Sequence, residues 1–215
     1  MTPLADLLGE YHWIPCVIYT SLSCAGIKPV VQLSKQGVRG LLLAGSDDVG
    51  SNIRNLVERL TADAVVDQLL MALQHPFTRL PAAVVRAIRG VFGAPHRYPS
   101  VEDLAVSAGV TVRHLRRLVT SVGLTSPLRI VVAARVLRAY QFFRFSDRET
   151  LDQSAGRLRI DPRSLSIQIR EAMEVATVAG LRDLSPTEAV TRCVRTLYRP
   201  PAALFRAVGD GAPAL

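Results

Sequence analysis

The stretch that most constrains the fold of this chain is residues 101–120, which read VEDLAVSAGVTVRHLRRLVT. Its apolar spacing predicts one helix over about residues 101–107 and a second over about residues 111–121. Gly109, in the short gap between them, supplies the left-handed backbone that a sharp turn requires. Two short helices joined by such a turn form a helix-turn-helix.

Residues at the helix starts and between the helices support this prediction. Ser100 is a favourable N-cap, Asp103 follows it three residues later, and Thr111 is suited to cap the second helix. Crossed helices need small or apolar residues where they meet. Four positions meet that need: Ala105, Val110, Leu115 and Leu118.

The outward face of the second helix is basic. It carries Thr111, Arg113, Arg116, Arg117 and Thr120. Arginine side chains bind guanine edges and phosphates in the major groove, so this face predicts a DNA-binding surface. The alternative is a solvated basic helix in an unrelated helical domain.

The positive charge of the chain is concentrated in the same half. Residues 1–95 hold eight Lys and Arg against seven Asp and Glu, whereas residues 96–215 hold 18 Arg against 11 acidic residues. The net charge of the whole chain is +8. A basic C-terminal half favours an anionic polymer as partner, and we expect double-stranded DNA.

Composition argues against several other classes of protein. No apolar run reaches the length of a membrane span and the N-terminus does not resemble a secretory signal, so we expect a cytoplasmic protein without membrane contact. Cys16, Cys24 and Cys193 are scattered, which predicts reduced thiols rather than a metal site. Without a metal-ligand spacing, a nucleotide-binding motif or a catalytic constellation, we expect neither a cofactor nor an enzyme.

Residues 1–61 predict a small α/β unit. Two runs rich in apolar residues, 14–20 and 38–43, are typical of buried strands. Each is followed by a predicted helix, over about residues 25–36 and 51–60. This alternation with short connections favours two parallel strands.

This unit resembles the second half of a response-regulator receiver domain. The matching residues are PCVIYTSLS at the first strand and VRGLLLAGSDD at the second. Thr20 falls at the family's switch Ser or Thr, but Ala44 replaces its lysine, and too few residues precede the first strand to carry the acidic pair and the phosphorylated Asp. The resemblance implies a degenerate docking or dimerisation unit, with a second copy of the chain as partner, or a fragment of a longer protein.

Residues 62–95 predict connecting helices, separated at Pro76 and Pro81, that contribute to a core or to a dimer interface. The segment 93–100 contains Gly and Pro and marks the next domain boundary.

A long helix is predicted after the first helix-turn-helix. Ser126 and Pro127 suit its start, and its pattern continues to about Phe145. Its apolar positions include Leu128, Val131, Val132, Val136, Ala139, Tyr140 and Phe143. At 1.5 Å per residue it would span about 28 Å, close to one turn of DNA. A second helix pair is predicted from about Glu149, with Arg159 where the first pair has its turn glycine.

Two helix-turn-helices joined by one long helix resemble the DNA-binding domain of the AraC/XylS family of bacterial regulators. The matching stretches are LAVSAGVTVRHLRRLV, GLTSP and RVLRA in the first unit and LSP at 184–186 in the second. The resemblance covers about residues 98–200. It implies that Arg113, Arg116, Arg117 and, in the second unit, Arg163 reach base edges or phosphates.

Three further residues complete this candidate surface. Ser166 and Arg170 share the outward face of the second unit with Arg163. His114 matches a common histidine of the family, and packing against the first helix is an equal alternative for it.

The predicted fold is mainly α. It has a partial receiver-like α/β unit at 1–61, connecting helices at 62–95, an all-α double helix-turn-helix with a long linker helix at 96–200, and a tail at 201–215. The predicted function is a bacterial sequence-specific transcription regulator with recognition helix 111–121 in the major groove. The alternative is a protein–protein interaction or dimerisation protein with a vestigial helix-turn-helix.

Overall fold

The computed structural model describes residues 16–21, 38–47, 49–146 and 148–198. These residues are mainly helical and contain one small two-stranded parallel sheet, which confirms the mainly α prediction at this level. The chain divides into two compact units, residues 1–65 and 66–215.

Two strands form the sheet of the first unit. Strand β1 spans Cys16–Thr20 and strand β2 spans Val38–Leu43, and they run parallel, with Ile18 opposite Leu41. The parallel pairing predicted from the alternation of strand and helix patterns is confirmed. The helix predicted over 25–36 lies outside the described residues.

A single helix, α1, spans Gly50–Ala72 and has 23 residues. The break that we expected near residue 61 is wrong. Because neither Pro nor Gly follows Gly50 within this segment, nothing interrupts the backbone hydrogen bonds. Within the first unit, α1 comes close to β2 at Gly40, where a Cβ atom would lie 3.2 Å from the Leu56 side chain and 3.3 Å from Leu60.

In its described residues, the second unit contains the end of α1 and eight further α-helices. These are α2 Gln74–Phe77, α3 Ala82–Gly93, α4 Val101–Ser107, α5 Val112–Ser121, α6 Pro127–Phe145, α7 Leu151–Leu158, α8 Pro162–Met173 and α9 Pro186–Leu197. Short 3-10 helices occur at Pro95–Arg97 and Val178–Asp183. The bounds of α4, α5 and α6 lie within one residue of those predicted from capping residues and apolar spacing.

Helix α6 forms the centre of this unit. It contacts α3, α4, α5, α7, α8 and α9. Of its 19 residues, 13 are buried, among them Ile130, Leu137 and Tyr140. The Tyr140 hydroxyl donates a hydrogen bond of 3.1 Å to the buried carbonyl of Leu184, which satisfies both polar groups. Both helix pairs are therefore held on one shared helix.

Helix α3 belongs to the same core. It contacts α4 and α6, and it buries Val84, Ala87, Ile88, Val91 and Phe92. The core role expected for this segment is confirmed for α3.

Two apolar positions differ from the prediction. Leu128 is 57% exposed, because the face that it shares with Val132 is covered farther along α6 but not in the first turn. Leu118 is only half-buried, whereas its neighbour Val119 is fully buried. The buried stripe of α5 recurs every three to four residues at Leu115, Val119 and the C-cap Val122, so Leu118 falls at its edge.

Candidate nucleic-acid interface

The turn between α4 and α5 is closed by backbone hydrogen bonds. Gly109 has a φ of +67°. Its N–H donates to the carbonyl of Val106, and the N–H of Val110 donates to that of Ala105, each at 3.0 Å. This is the Schellman pattern, in which a left-handed residue satisfies the last carbonyls of a helix. A Cβ atom at Gly109 would meet nothing within 4 Å, so the backbone angle alone calls for glycine.

Side-chain caps fix where both helices begin. The Ser100 hydroxyl accepts from the N–H of Asp103 at 3.2 Å, and the Asp103 carboxylate accepts from the N–H of Ser100 at 2.9 Å. The Thr111 hydroxyl accepts from the N–H of His114 at 3.2 Å. Because the caps set the first residue of α5, they also set which of its side chains turn inward.

The outward face of α5 is polar and basic. Leu115 and Val119 are fully buried, and the exposed residues are Thr111 at the N-cap and, along the helix, Arg113, His114, Arg116, Arg117 and Thr120. Arg113, Arg116, Arg117 and Thr120 therefore lie together on one exposed face, whereas Thr111, predicted on the same face, is the exposed N-cap four residues before the buried Leu115. His114 is exposed, which does not support the alternative that it packs against the first helix.

The arginines of α5 carry positive charge that no acidic residue of the same helix offsets. The sequence 112–121 contains no Asp or Glu. Within the part of the chain that the structure describes, the side chains of Arg113, Arg116 and Arg117 make no hydrogen bond or ion pair, whereas the backbone carbonyls of Arg116 and Arg117 accept one from the Thr120 hydroxyl. Their guanidinium groups are thus free to bind an anion or a hydrogen-bond acceptor.

The hydroxyl of Thr120 is already used inside the helix. It donates to the carbonyl of Arg116 at 2.8 Å. With its proton engaged in this way, Thr120 can offer a ligand only an acceptor oxygen or its methyl group.

Arg135, a buried arginine for which the sequence predicted no structural role, holds the start of this helix pair. The Arg135 guanidinium, on α6, donates to the carbonyls of Pro99 and, at 3.5 Å, Tyr98, just before α4. Burial lowers the pKa of this guanidinium. Arg138 adds a bond of 2.7 Å to the carbonyl of Gly93. The RVLRA stretch contains both arginines, but their carbonyl partners lie 36 to 45 residues away and leave no local signal.

The second helix pair repeats the first with every residue number raised by fifty. Thr150 and Gln153 form a capping box, as Ser100 and Asp103 do. The N–H of Ile160 donates to the carbonyl of Ala155 at 3.1 Å, which reproduces the bond from Val110 to Ala105. The repeat that is weak in sequence is therefore close in backbone geometry.

Arg159 stands where the first pair has Gly109 and adopts the same left-handed backbone, with a φ of +55°. Its N–H donates to the carbonyl of Gly156 at 3.2 Å, as that of Gly109 does to Val106. The turn is therefore retained although its glycine is not.

Helix α8 holds the predicted site residues of the second pair. Its buried side chains are Leu165, Ile169, Ala172 and Met173. Arg163 and Arg170 are exposed, whereas Ser166 is half-buried and presents less of its hydroxyl than expected. Asp161 caps the helix by accepting from the N–H of Ser164 at 2.8 Å. The two outward faces therefore differ: α5 is rich in arginine, and α8 mixes arginine with smaller and apolar side chains.

The described residues contain neither a metal-binding cluster nor a membrane-spanning helix. Across the described ranges, no cluster of three or more His, Cys, Asp or Glu side chains could hold a metal ion. None of the described helices combines the length and apolar character needed to cross a bilayer. Comparisons with known protein families, with curated proteins and with solved structures find no match to this chain.

Proposed function

We propose that this protein is a bacterial transcription regulator that binds double-stranded DNA in a sequence-specific manner, with α5 lying in the major groove. Arg113, Arg116 and Arg117 contact base edges and phosphates, and Thr111 and Thr120 flank them. Arg163, Ser166 and Arg170 on α8 make further contacts. The protein needs no cofactor, performs no chemistry on DNA and acts in the cytoplasm.

One observation carries this proposal. Helix α5 exposes three arginines on a single face, and none of them pairs with an acid in the described residues. A protein pays an electrostatic cost for like charges held on one helix face, so a complementary anionic surface is the simplest reason to keep them. The resemblance of residues 98–200 to the AraC/XylS DNA-binding domain supports the same function.

The test begins with selection from random-sequence duplexes, followed by sequencing, at two salt concentrations. We expect an enriched motif whose affinity falls as salt rises, because binding releases counterions from the phosphates. Binding that falls with salt but enriches no sequence would contradict specific recognition. No binding at low salt would contradict DNA binding altogether.

Arg116→Ala then tests the role of α5. Affinity for the selected duplex should fall by about 1–3 kcal/mol if Arg116 reads a base. Arg86→Ala, on the exposed surface of α3, removes the same charge from another helix and serves as the matched control. Equal losses for both variants, measured by fluorescence anisotropy, would show that only net charge matters and would remove the base-reading role.

A second candidate function is dimerisation through the first unit. Five of its large apolar side chains are exposed: Tyr19, Leu41, Val49, Ile53 and Val57. A two-stranded sheet is a small structure with two edges, and such sheets gain stability by pairing or packing. Tyr19 and Leu41 lie on opposite faces of the sheet, because Tyr19 pairs with Leu42. We propose that a second copy of the chain covers apolar side chains of this unit.

A further inference from the structure

Helix α8 carries an isoleucine where α5 carries a central arginine. Ile167 is equivalent to Arg117 in the fifty-residue repeat, which the capping residues and the turn bonds define. Ile167 is 41% exposed. The repeat thus places an apolar side chain at the centre of the surface that α5 fills with a guanidinium.

Basic residues lie on either side of this isoleucine along the helix. Arg163 precedes Ile167 by one turn, Arg170 follows it by one turn, and both are exposed. Glu171 lies on the same side, and Arg129 of α6 offsets its charge through an ion pair of 3.8 Å. An exposed apolar side chain between two arginines suits a ligand that is anionic at its edges and has an apolar group between them.

The major groove of DNA offers such a surface wherever it contains thymine. Phosphates line its edges, and the 5-methyl group of thymine is the apolar group that projects into it. Guanine presents only acceptor atoms there, which suit Arg117 and not Ile167. We propose that α8 reads thymine through contact between Ile167 and the 5-methyl group, so that the two helix pairs recognise chemically different sub-sites.

This inference rests on the proposed function, and its test uses the full-length protein with the duplex selected above. Each thymine in turn is replaced by deoxyuridine, which removes only the 5-methyl group. At one or two thymines outside the sub-site of α5, we expect a loss of wild-type affinity of about three- to five-fold, the size expected for one buried methyl group.

A double-mutant cycle assigns that loss to Ile167. Ile167→Ala should bind the thymine and deoxyuridine duplexes equally, whereas Arg117→Ala should retain the full sensitivity to the methyl group. Ile167→Arg, which repeats the pattern of α5, should shift the preferred base pair at that position from T·A to G·C. Because Ile167 lies on the surface, thermal melting should show that these variants fold as the wild type does.

The possible failures are distinct. Selective binding that ignores every thymine methyl group, or an Ile167→Ala variant that keeps the wild-type sensitivity, overturns this inference and leaves the proposed function standing. Absence of selective duplex binding by the wild-type protein overturns both.

Discussion

Two residues at equivalent turns, Gly109 and Arg159, have the same left-handed backbone and opposite intrinsic preferences for it. Glycine adopts positive φ freely, whereas for a residue with a Cβ atom that region costs roughly 1–2 kcal/mol. The second turn nevertheless forms, with the same pair of backbone hydrogen bonds. Burial of Leu158, Leu165 and Ile169 around it overrides the local preference of Arg159.

Opposite effects on stability are therefore expected from two substitutions at these turns. Gly109→Ala should lower the free energy of unfolding by about 1–2 kcal/mol, all of it conformational because the new methyl group meets open space. Arg159→Gly should raise it by up to about 1 kcal/mol, since the strain relieved exceeds the added entropy of the unfolded chain. Urea denaturation measures both changes, and effects of the same sign would contradict this account.

Cys193, on α9, differs from an ordinary thiol because its side chain is completely buried. Burial raises the pKa of this thiol to about 12. The reactive thiolate is the charged form, so a raised pKa leaves it scarce at pH 8. In a Cys16→Ser, Cys24→Ser background, a thiol reagent should label Cys193 only after denaturant unfolds the protein. Labelling of the native protein at the rate of a free thiol would contradict its burial.

At the scale of elements, the helices of the second unit were the most predictable features. Three helix starts are predictable from their N-cap residues, Ser100, Thr111 and Ser126. Each side chain accepts a hydrogen bond from a free N–H group three residues later in the first turn. The outward face of α5 follows from the same spacing. Information of this kind is local, and a single sequence contains it.

Features that depend on distant segments could not be predicted in this way. The exposure of Leu128 depends on how far neighbouring helices extend over the first turn of α6, and the apolar pattern does not report that. From the sequence, Arg135 is only a charged residue in a helix. Its hydrogen bonds to the carbonyls of Tyr98 and Pro99 form because folding brings these distant residues together. Likewise, local propensity gives no sign that Arg159 takes the place of a turn glycine.

The attachment of α4 to α6 through Arg135 is testable. Arg135→Met keeps most of the side-chain stem but loses its donors, which leaves two carbonyls before α4 without their partner. We expect a loss of about 1–3 kcal/mol in the free energy of unfolding. Hydrogen exchange should also quicken more in α4 than in α8. Arg89→Met, at an exposed site on α3, is the control and should change neither quantity.

At the scale of the whole molecule, the proposed dimer makes a prediction about the first unit. The wild-type protein should sediment as a dimer at micromolar concentration. Ile53→Asp should shift it toward the monomer, because burial of an unpaired carboxylate is unfavourable. Met71→Asp makes the same change at an exposed apolar residue of the second unit and should leave the dimer intact. A monomeric wild-type protein would contradict the proposed interface.

Because α6 is buried among all the helices of both pairs, neither pair can come apart without exposing the surface that the other needs. Opening a central helix of this kind requires nearly the whole free energy of unfolding. The backbone amides of α6 should therefore be the slowest in the second unit to exchange with deuterium. The two helix pairs of the second unit, although they are repeats of one another, should therefore unfold in a single cooperative transition.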